Sequence, residues 1–125
     1  MIGYATLGTN DLARAAAFYD ALLGEIGARR LWEFERGIAW GTSDTAPSLA
    51  IMKPYDGKPA TVGNGVMIGF AVASNELVQR VHARALALGG RDEGPVGPRG
   101  KDFYAGYFRD LDGNKLCAYC TASQE

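Results

Sequence analysis

One order of elements is written twice in this chain: an apolar strand, a short polar cap, a helix closed by glycine, and three more short strands. In the first copy the apolar run Ile2 to Leu7 leads into Thr9-Asn10-Asp11-Leu12. Asn10 or Asp11 can cap the helix that follows, because a short side-chain oxygen satisfies free N–H groups at the first turn. Leu12, Ala15, Ala16, Tyr19, Leu22 and Leu23 recur at helical spacing, and Gly24 is placed to end the run. In the second copy the strand is Val66 to Val72 and the cap is Ser74-Asn75-Glu76-Leu77. The apolar stripe is Leu77, Val78, Val81, Ala85 and Leu88, with Gly89-Gly90 at its end.

Three strand candidates follow each helix. The first set is approximately 28–34, 36–41 and 48–53, and the second 90–93, 103–109 and 115–120. The last two are joined by Asp110-Leu111-Asp112-Gly113-Asn114, a hairpin turn in which Gly and Asn accept positive φ at low cost. The pattern therefore predicts an α+β fold of two β-α-β-β-β modules, at about 1–53 and 65–122, with a turn-rich linker at about 54–64. Each helix should cover one face of its sheet and leave the other face open.

The chain has 125 residues and is expected to form one domain. Its net charge of -1 comes from interspersed acids and bases, without a basic stripe. That argues against nucleic acid or an anionic membrane as the main partner. Apolar runs fall short of a membrane span and the N-terminal residues lack a signal-peptide pattern, so a cytoplasmic location is expected.

Cys117-Ala118-Tyr119-Cys120 reads C-x-x-C, a spacing found in redox pairs and zinc half-sites. Three residues apart on a strand, however, the two thiols point to opposite faces. A zinc site also needs four donors, and neither a second cysteine pair nor a histidine pair is present. Two reduced cysteines are expected. His82 is the sole histidine and falls on the second helix, where it reads as a structural residue rather than a general base.

Two segments carry a family resemblance. Asn10-Asp11-Leu12-Ala13-Arg14-Ala15-Ala16-Ala17-Phe18-Tyr19 follows the first strand, and Phe108-Arg109-Asp110-Leu111-Asp112-Gly113-Asn114-Lys115-Leu116 lies near the end. With the repeated element order, they make the chain resemble the vicinal oxygen chelate superfamily, which includes glyoxalases, extradiol dioxygenases and bleomycin-resistance proteins. The second segment is similar to the family's Phe-x-Asp-Pro-Asp-Gly-Asn-x-Ile stretch, with Leu111 in place of proline. The resemblance implies a curved eight-stranded mixed sheet with helices on its convex side and a ligand cup inside.

Metal-dependent relatives hold their ion with His on the first strand, Glu or Gln on the fourth, His on the fifth and Glu on the eighth. The corresponding places here are Tyr4, Ala50 or Met52, Met67 and Cys117. No neighbouring position in the middle two segments supplies a His, Asp, Glu or Gln. A divalent ion needs imidazole, carboxylate or thiolate donors, so the resemblance carries the scaffold without the metal site, and no cofactor is expected.

The resemblance implies that Phe108 faces the helices, and strand alternation then leaves Phe103, Ala105, Tyr107 and Arg109 toward the cup. Tyr4, Met67 and Cys117 join them by the ligand correspondence, with Trp40 and Met52 as neighbours. Such a lining suits a flat or amphipathic small molecule. Arg109 has a rival role in pairing with Asp110 or Glu93. Residues 93–102, rich in Gly and Pro, read either as a lid or as a stiff connection. Three functions follow: a metal-free binding protein like the bleomycin-resistance branch, a metal-independent lyase- or isomerase-type enzyme using Tyr4, Tyr107 or Cys117, and a metal-dependent lyase or dioxygenase. The first is the favoured expectation, with a homodimer as the assembled form.

Overall fold

The computed structural model describes residues 1–121. The expected module end near residue 122 lies outside the described residues. Two helices and eight strands form two compact units, Met1–Gly63 and a second starting at Asn64.

The first unit contains β1 (Tyr4–Gly8), α1 (Leu12–Gly24), β2 (Arg29–Phe34), β3 (Gly37–Gly41) and β4 (Ser48–Met52). The second contains β5 (Ile68–Ala71), α2 (Asn75–Ala87), β6 (Arg91–Pro98), β7 (Phe103–Arg109) and β8 (Lys115–Thr121). Each unit builds a four-stranded mixed sheet, ordered β1-β4-β3-β2 in one and β5-β8-β7-β6 in the other. In both, the first strand pairs in parallel with the last and the remaining pairs are antiparallel. The edge strands β2 and β6 each carry a bulge one residue after a regular pair, at Leu31 and at Glu93. The repeat thus extends to an irregularity that re-aims side chains at the sheet edge.

The helix caps follow the sequence chemistry. Asp11, not Asn10, caps α1 by accepting from the Arg14 N–H at 3.0 Å. Ser74 does the same for α2 with the Leu77 N–H at 3.1 Å. Each cap is worth about 1 kcal/mol. At the C-termini the two modules differ. Gly89 takes the left-handed conformation after α2 at φ 102°, whereas after α1 that role passes from Gly24 to Gly27 at φ 81°.

Apolar stripes then decide the packing. Ala15, Ala16, Phe18, Tyr19, Leu22 and Leu23 are buried on α1, which packs on β2, β3 and β4. Leu7, Ile38, Trp40, Leu49 and Ile51 are buried on the strands, and Tyr19 meets Trp40 with ring centroids 5.6 Å apart. On α2 the buried set is Val78, Val81, His82 and Ala85, against β6, β7 and β8. Burying one such large side chain stabilises by roughly 1.5–3 kcal/mol.

The Asp110–Asn114 turn is ordered by one carboxylate. Asp110 Oδ1 accepts from the Asp112 and Asn114 N–H groups at 2.9 Å each, and Oδ2 accepts from Asn114 Nδ2 at 2.9 Å. Gly113 supplies the positive φ of 92°. The first part of the segment 93–102 continues β6 as far as Pro98. Pro95 and Pro98 are tolerated there because β6 is an edge strand, with an irregular ladder between Gly94 and Gly97.

Candidate functional site

Register fixes which side chains share the helix-free face of each sheet. In the first unit Tyr4 lies beside Ser48, Thr6 beside Ala50 and Gly8 beside Met52, while Gly37 faces Met52 and Ala39 faces Ala50. Trp32 and Phe34 pair with Ala39 and Gly37, so they project to that same face. Their rings sit 5.4 Å apart. A Cβ on Gly37 would collide with Met52 Sδ, so the missing side chain makes room for the thioether. Tyr4, Trp32 and Phe34 are all exposed, giving a broad aromatic surface with hydroxyls at one end.

Trp40 corrects the sequence expectation. It pairs with Leu49 on the helix side of the sheet, is 2% exposed and donates Nε1–H to Asp20 Oδ1 at 2.9 Å. It is a core residue tied to α1, and it contributes nothing to an open face.

In the second unit Tyr107 pairs with Cys117, Arg109 with Lys115, Ala105 with Tyr119 and Phe103 with Thr121. These residues share the helix-free face, since Phe108 on the alternate parity meets His82 on α2 at 6.1 Å between ring centroids. Phe103 and Tyr119 stack with centroids 5.3 Å apart and planes 17° apart. Tyr119 also leans over β5, where a Cβ on Gly69 would lie 3.3 Å from its ring. Met67 precedes β5 by one residue and is exposed.

Cations gather around Tyr107. The Arg99 guanidinium lies 5.4 Å from the ring centroid, and Lys115 Nζ lies 5.7 Å away. Arg99 is fixed there by donating to the carbonyls of Gly97 at 2.9 Å and Pro95 at 2.6 Å. Arg109 is less available. Its Nε lies 3.3 Å from Glu93 Oε2, and Nη1 donates to the Gly113 carbonyl at 3.0 Å. The Nε–H is not aligned for a hydrogen bond, so that contact is an ion pair only. Of the two partners read from sequence, Glu93 is the one that pairs with Arg109.

The two cysteines differ in face and setting. Cys117 is on the open face yet only 2% exposed, and burial pushes its thiol up, opposed weakly by the Lys115 charge. Cys120 lies on the helix face, with its sulfur 3.6 Å from the Thr121 carbonyl. Both are free thiols.

His82 is built into the core. It is 7% exposed, with Nε2 at 3.0 Å from Asp92 Oδ1 and 3.2 Å from the Tyr107 carbonyl. Its ring packs over Gly106, where an added Cβ would lie 2.9 Å from Cδ2. Such contacts position β7 against α2 and aim the imidazole away from the open face.

The open faces therefore offer Tyr4, Thr6 and Ser48 hydroxyls and the Met52 thioether in one unit. The other offers Tyr phenols, a thiol that resists ionisation and the Glu93 carboxylate beside Arg109. Among the described residues no three His, Cys, Asp or Glu side chains come together. This donor set does not fit a catalytic divalent cation, which needs several anionic or imidazole donors on one point.

A family model described as the Glyoxalase/Bleomycin resistance protein/Dioxygenase superfamily matches residues 1–118. The chain belongs to that superfamily. A glyoxalase/bleomycin resistance protein from Albidiferax ferrireducens T118 is 39% identical over 98% of this chain and 99% of its own, with a TM-score of 0.90. A genomically encoded fosfomycin resistance protein from Listeria monocytogenes is 20% identical, with coverages of 98% and 94% and a TM-score of 0.73. A lactoylglutathione lyase from Agrobacterium tumefaciens is 19% identical, with coverages of 96% and 92% and a TM-score of 0.71. The last two share the glyoxalase/bleomycin resistance fold and are too distant to carry an activity. No curated protein matches the chain. Among the described residues of this superfamily member, no helix is long and apolar enough to cross a membrane.

Proposed function

We propose that this superfamily member binds a small aromatic or apolar molecule on the open faces of its sheets, without a catalytic metal. The observation that carries the reading is the chemistry at the superfamily's ligand positions. Tyr4, Met52, Met67 and Cys117 supply a phenol, two thioethers and a thiol whose ionisation burial opposes. Beside Cys117 the face offers what a flat ligand needs: the Phe103–Tyr119 stack and the Tyr107 ring, with Lys115 and Arg109 at one end. Tyr4 and Met52 belong to the proposal as apolar lining of the first sheet, and Met67 as the residue entering β5.

A metal-independent enzyme draws less support from the same face. A nucleophilic thiol needs a lowered pKa, whereas Cys117 is pushed the other way. Exposed Tyr4, Trp32 and Phe34 on the first sheet support a homodimer, because large apolar side chains left exposed on one face favour an assembled protein.

A panel of small aromatic compounds tested by thermal shift, with Tyr119→Ala alongside, examines the proposal. A compound that raises the wild-type melting temperature should lose most of its effect in Tyr119→Ala. If no ring-bearing compound shifts the melting temperature, binding on this face is excluded for that chemistry. A monomeric mass by sedimentation at micromolar concentration would remove the homodimer from the proposal.

A further inference from the structure

A second concave site lies wholly within the first unit, at one end of its sheet and sharing only Phe34 with the open face. Thr9 and Asn10 after β1, Glu35 and Arg36 in the β2–β3 turn, and residues 53–55 and 57–59 after β4 line a cleft of about 570 Å³. That volume falls within the range of small-molecule sites.

Its walls are held by specific contacts. Asn10 grips the far side of the segment 54–60 at both ends of its amide, with Nδ2 donating to the Ala60 carbonyl at 3.1 Å and Oδ1 accepting from the Ala60 N–H at 2.6 Å. Gly8 permits that approach, since an added Cβ would sit 3.0 Å from Ala60 Cβ. Asp56 Oδ1 accepts from the Lys58 N–H at 2.9 Å, and Gly57 turns the chain at φ 76°. Residues 54–60, read from sequence as a linker, are a built wall.

The cleft is cationic and aromatic. Arg36 is clamped between two rings, with Cζ 5.8 Å from the Phe34 centroid and 5.2 Å from that of Tyr55. Its Nη1 donates to the Lys53 carbonyl at 2.8 Å, and the Lys53 N–H donates back to the Arg36 carbonyl at 2.7 Å. This fixes the plane of the guanidinium before any ligand arrives. Among the described residues, neither Lys53 nor Lys58 forms an ion pair with a carboxylate. Arg36, Lys53 and Lys58 against Glu35 leave two net positive charges on the lining, with the Asp56 carboxylate beside it on the Lys58 N–H. Tyr55 is 90% exposed, a ring held out with one face free to stack.

We infer that this cleft binds a small molecule carrying a phosphate monoester dianion beside a flat ring. The net positive lining suits the dianion, the fixed Arg36 plane suits phosphate oxygens, and Tyr55 takes the ring. The site is independent of the open-face proposal, so either can fail without the other.

Isothermal titration calorimetry of the full chain at low ionic strength, with phenyl phosphate, inorganic phosphate and phenol as probes, tests it. Phenyl phosphate should bind saturably and more tightly than inorganic phosphate, and phenol should give no heat. Lys58→Ala should weaken phenyl phosphate roughly fivefold, the size of one surface charge contact. Tyr55→Ala should remove the advantage of phenyl phosphate over inorganic phosphate, while Lys101→Ala on the β6–β7 loop should change nothing. Added salt should weaken binding in every case. The inference is overturned if phenyl phosphate does not saturate, if Lys58→Ala and Tyr55→Ala both bind it as wild type does, or if Lys115→Ala abolishes binding instead. Circular dichroism of each variant confirms that a lost signal is not a lost fold.

Discussion

Trp40 and Asp20 are joined by a hydrogen bond of 2.9 Å from the indole Nε1–H to a carboxylate oxygen, fastening the central strand β3 to α1. The same carboxylate takes a two-pronged contact from Arg30, at 3.0 Å from Nε and 2.8 Å from Nη2. Asp20→Ala leaves the buried indole N–H without an acceptor and should cost about 1–2 kcal/mol. Thermal unfolding should show a loss of several degrees, with little change in the circular dichroism of the folded state.

That carboxylate also sets a pH dependence. The Arg30 hydrogen bonds hold Asp20 below the usual carboxylate range, against the opposing effect of burial and with help from Trp40. A depressed folded-state pKa stabilises fully above the ordinary value of about 4 and is lost as pH falls through the folded value. Asp20→Asn should therefore flatten the acid limb of the stability curve measured by urea unfolding. Because Asp20 is 45% exposed, the difference between wild type and variant should be modest, at about 1 kcal/mol or less.

Cys117 has the opposite sign. Burial raises its thiol, so the folded state keeps a proton that the unfolded chain releases above the ordinary cysteine value of about 8.5. Stability should fall as pH rises past that point, and Cys117→Ala should lessen the fall. At neutral pH a thiol-specific reagent should modify Cys117 slowly in the folded protein and quickly after denaturation. Fast modification of the native chain at neutral pH would instead favour the nucleophilic reading of this residue.

Gly106 lies under His82 so closely that a methyl group there meets Val96 Cγ1 at 2.7 Å and His82 Cδ2 at 2.9 Å. Gly106→Ala should destabilise by about 1–3 kcal/mol through overpacking. His82→Ala should cost a similar amount by opening a cavity and leaving its polar neighbours on one side. Ligand binding to the open face by folded His82→Ala should stay at the wild-type level, since the imidazole is not on that face.

Element order was legible because each module repeats the same signals: a capping oxygen, a helical stripe, and turn residues between short apolar runs. The face of Trp40 was not. Small Gly37, Ala39 and Gly41 alternate with large Ile38 and Trp40, but no polar residue marks the open side, and every one of the five is buried in the fold. Met67 and the start of β5 were hard to place because Gly63-Asn64-Gly65 gives no pairing signal. The extension of β6 was masked by Pro95 and Pro98, which argue against strand except at an edge, and edge position is a tertiary fact. Arg36, Tyr55 and Lys58 looked like turn and linker residues. Their convergence depends on the Asn10–Ala60 contact, which spans 50 positions and leaves no local trace.

The central claim is that the described residues of this superfamily member do not bring together the donors for a catalytic cation. Elemental analysis by mass spectrometry tests it most directly, on protein purified without chelator from cells supplied with zinc, nickel, iron and manganese. The account predicts well under one ion per chain after dialysis, unchanged by Tyr4→Phe or Cys117→Ala. One tightly held ion per chain, lost on substituting Tyr4 or Cys117, would contradict it.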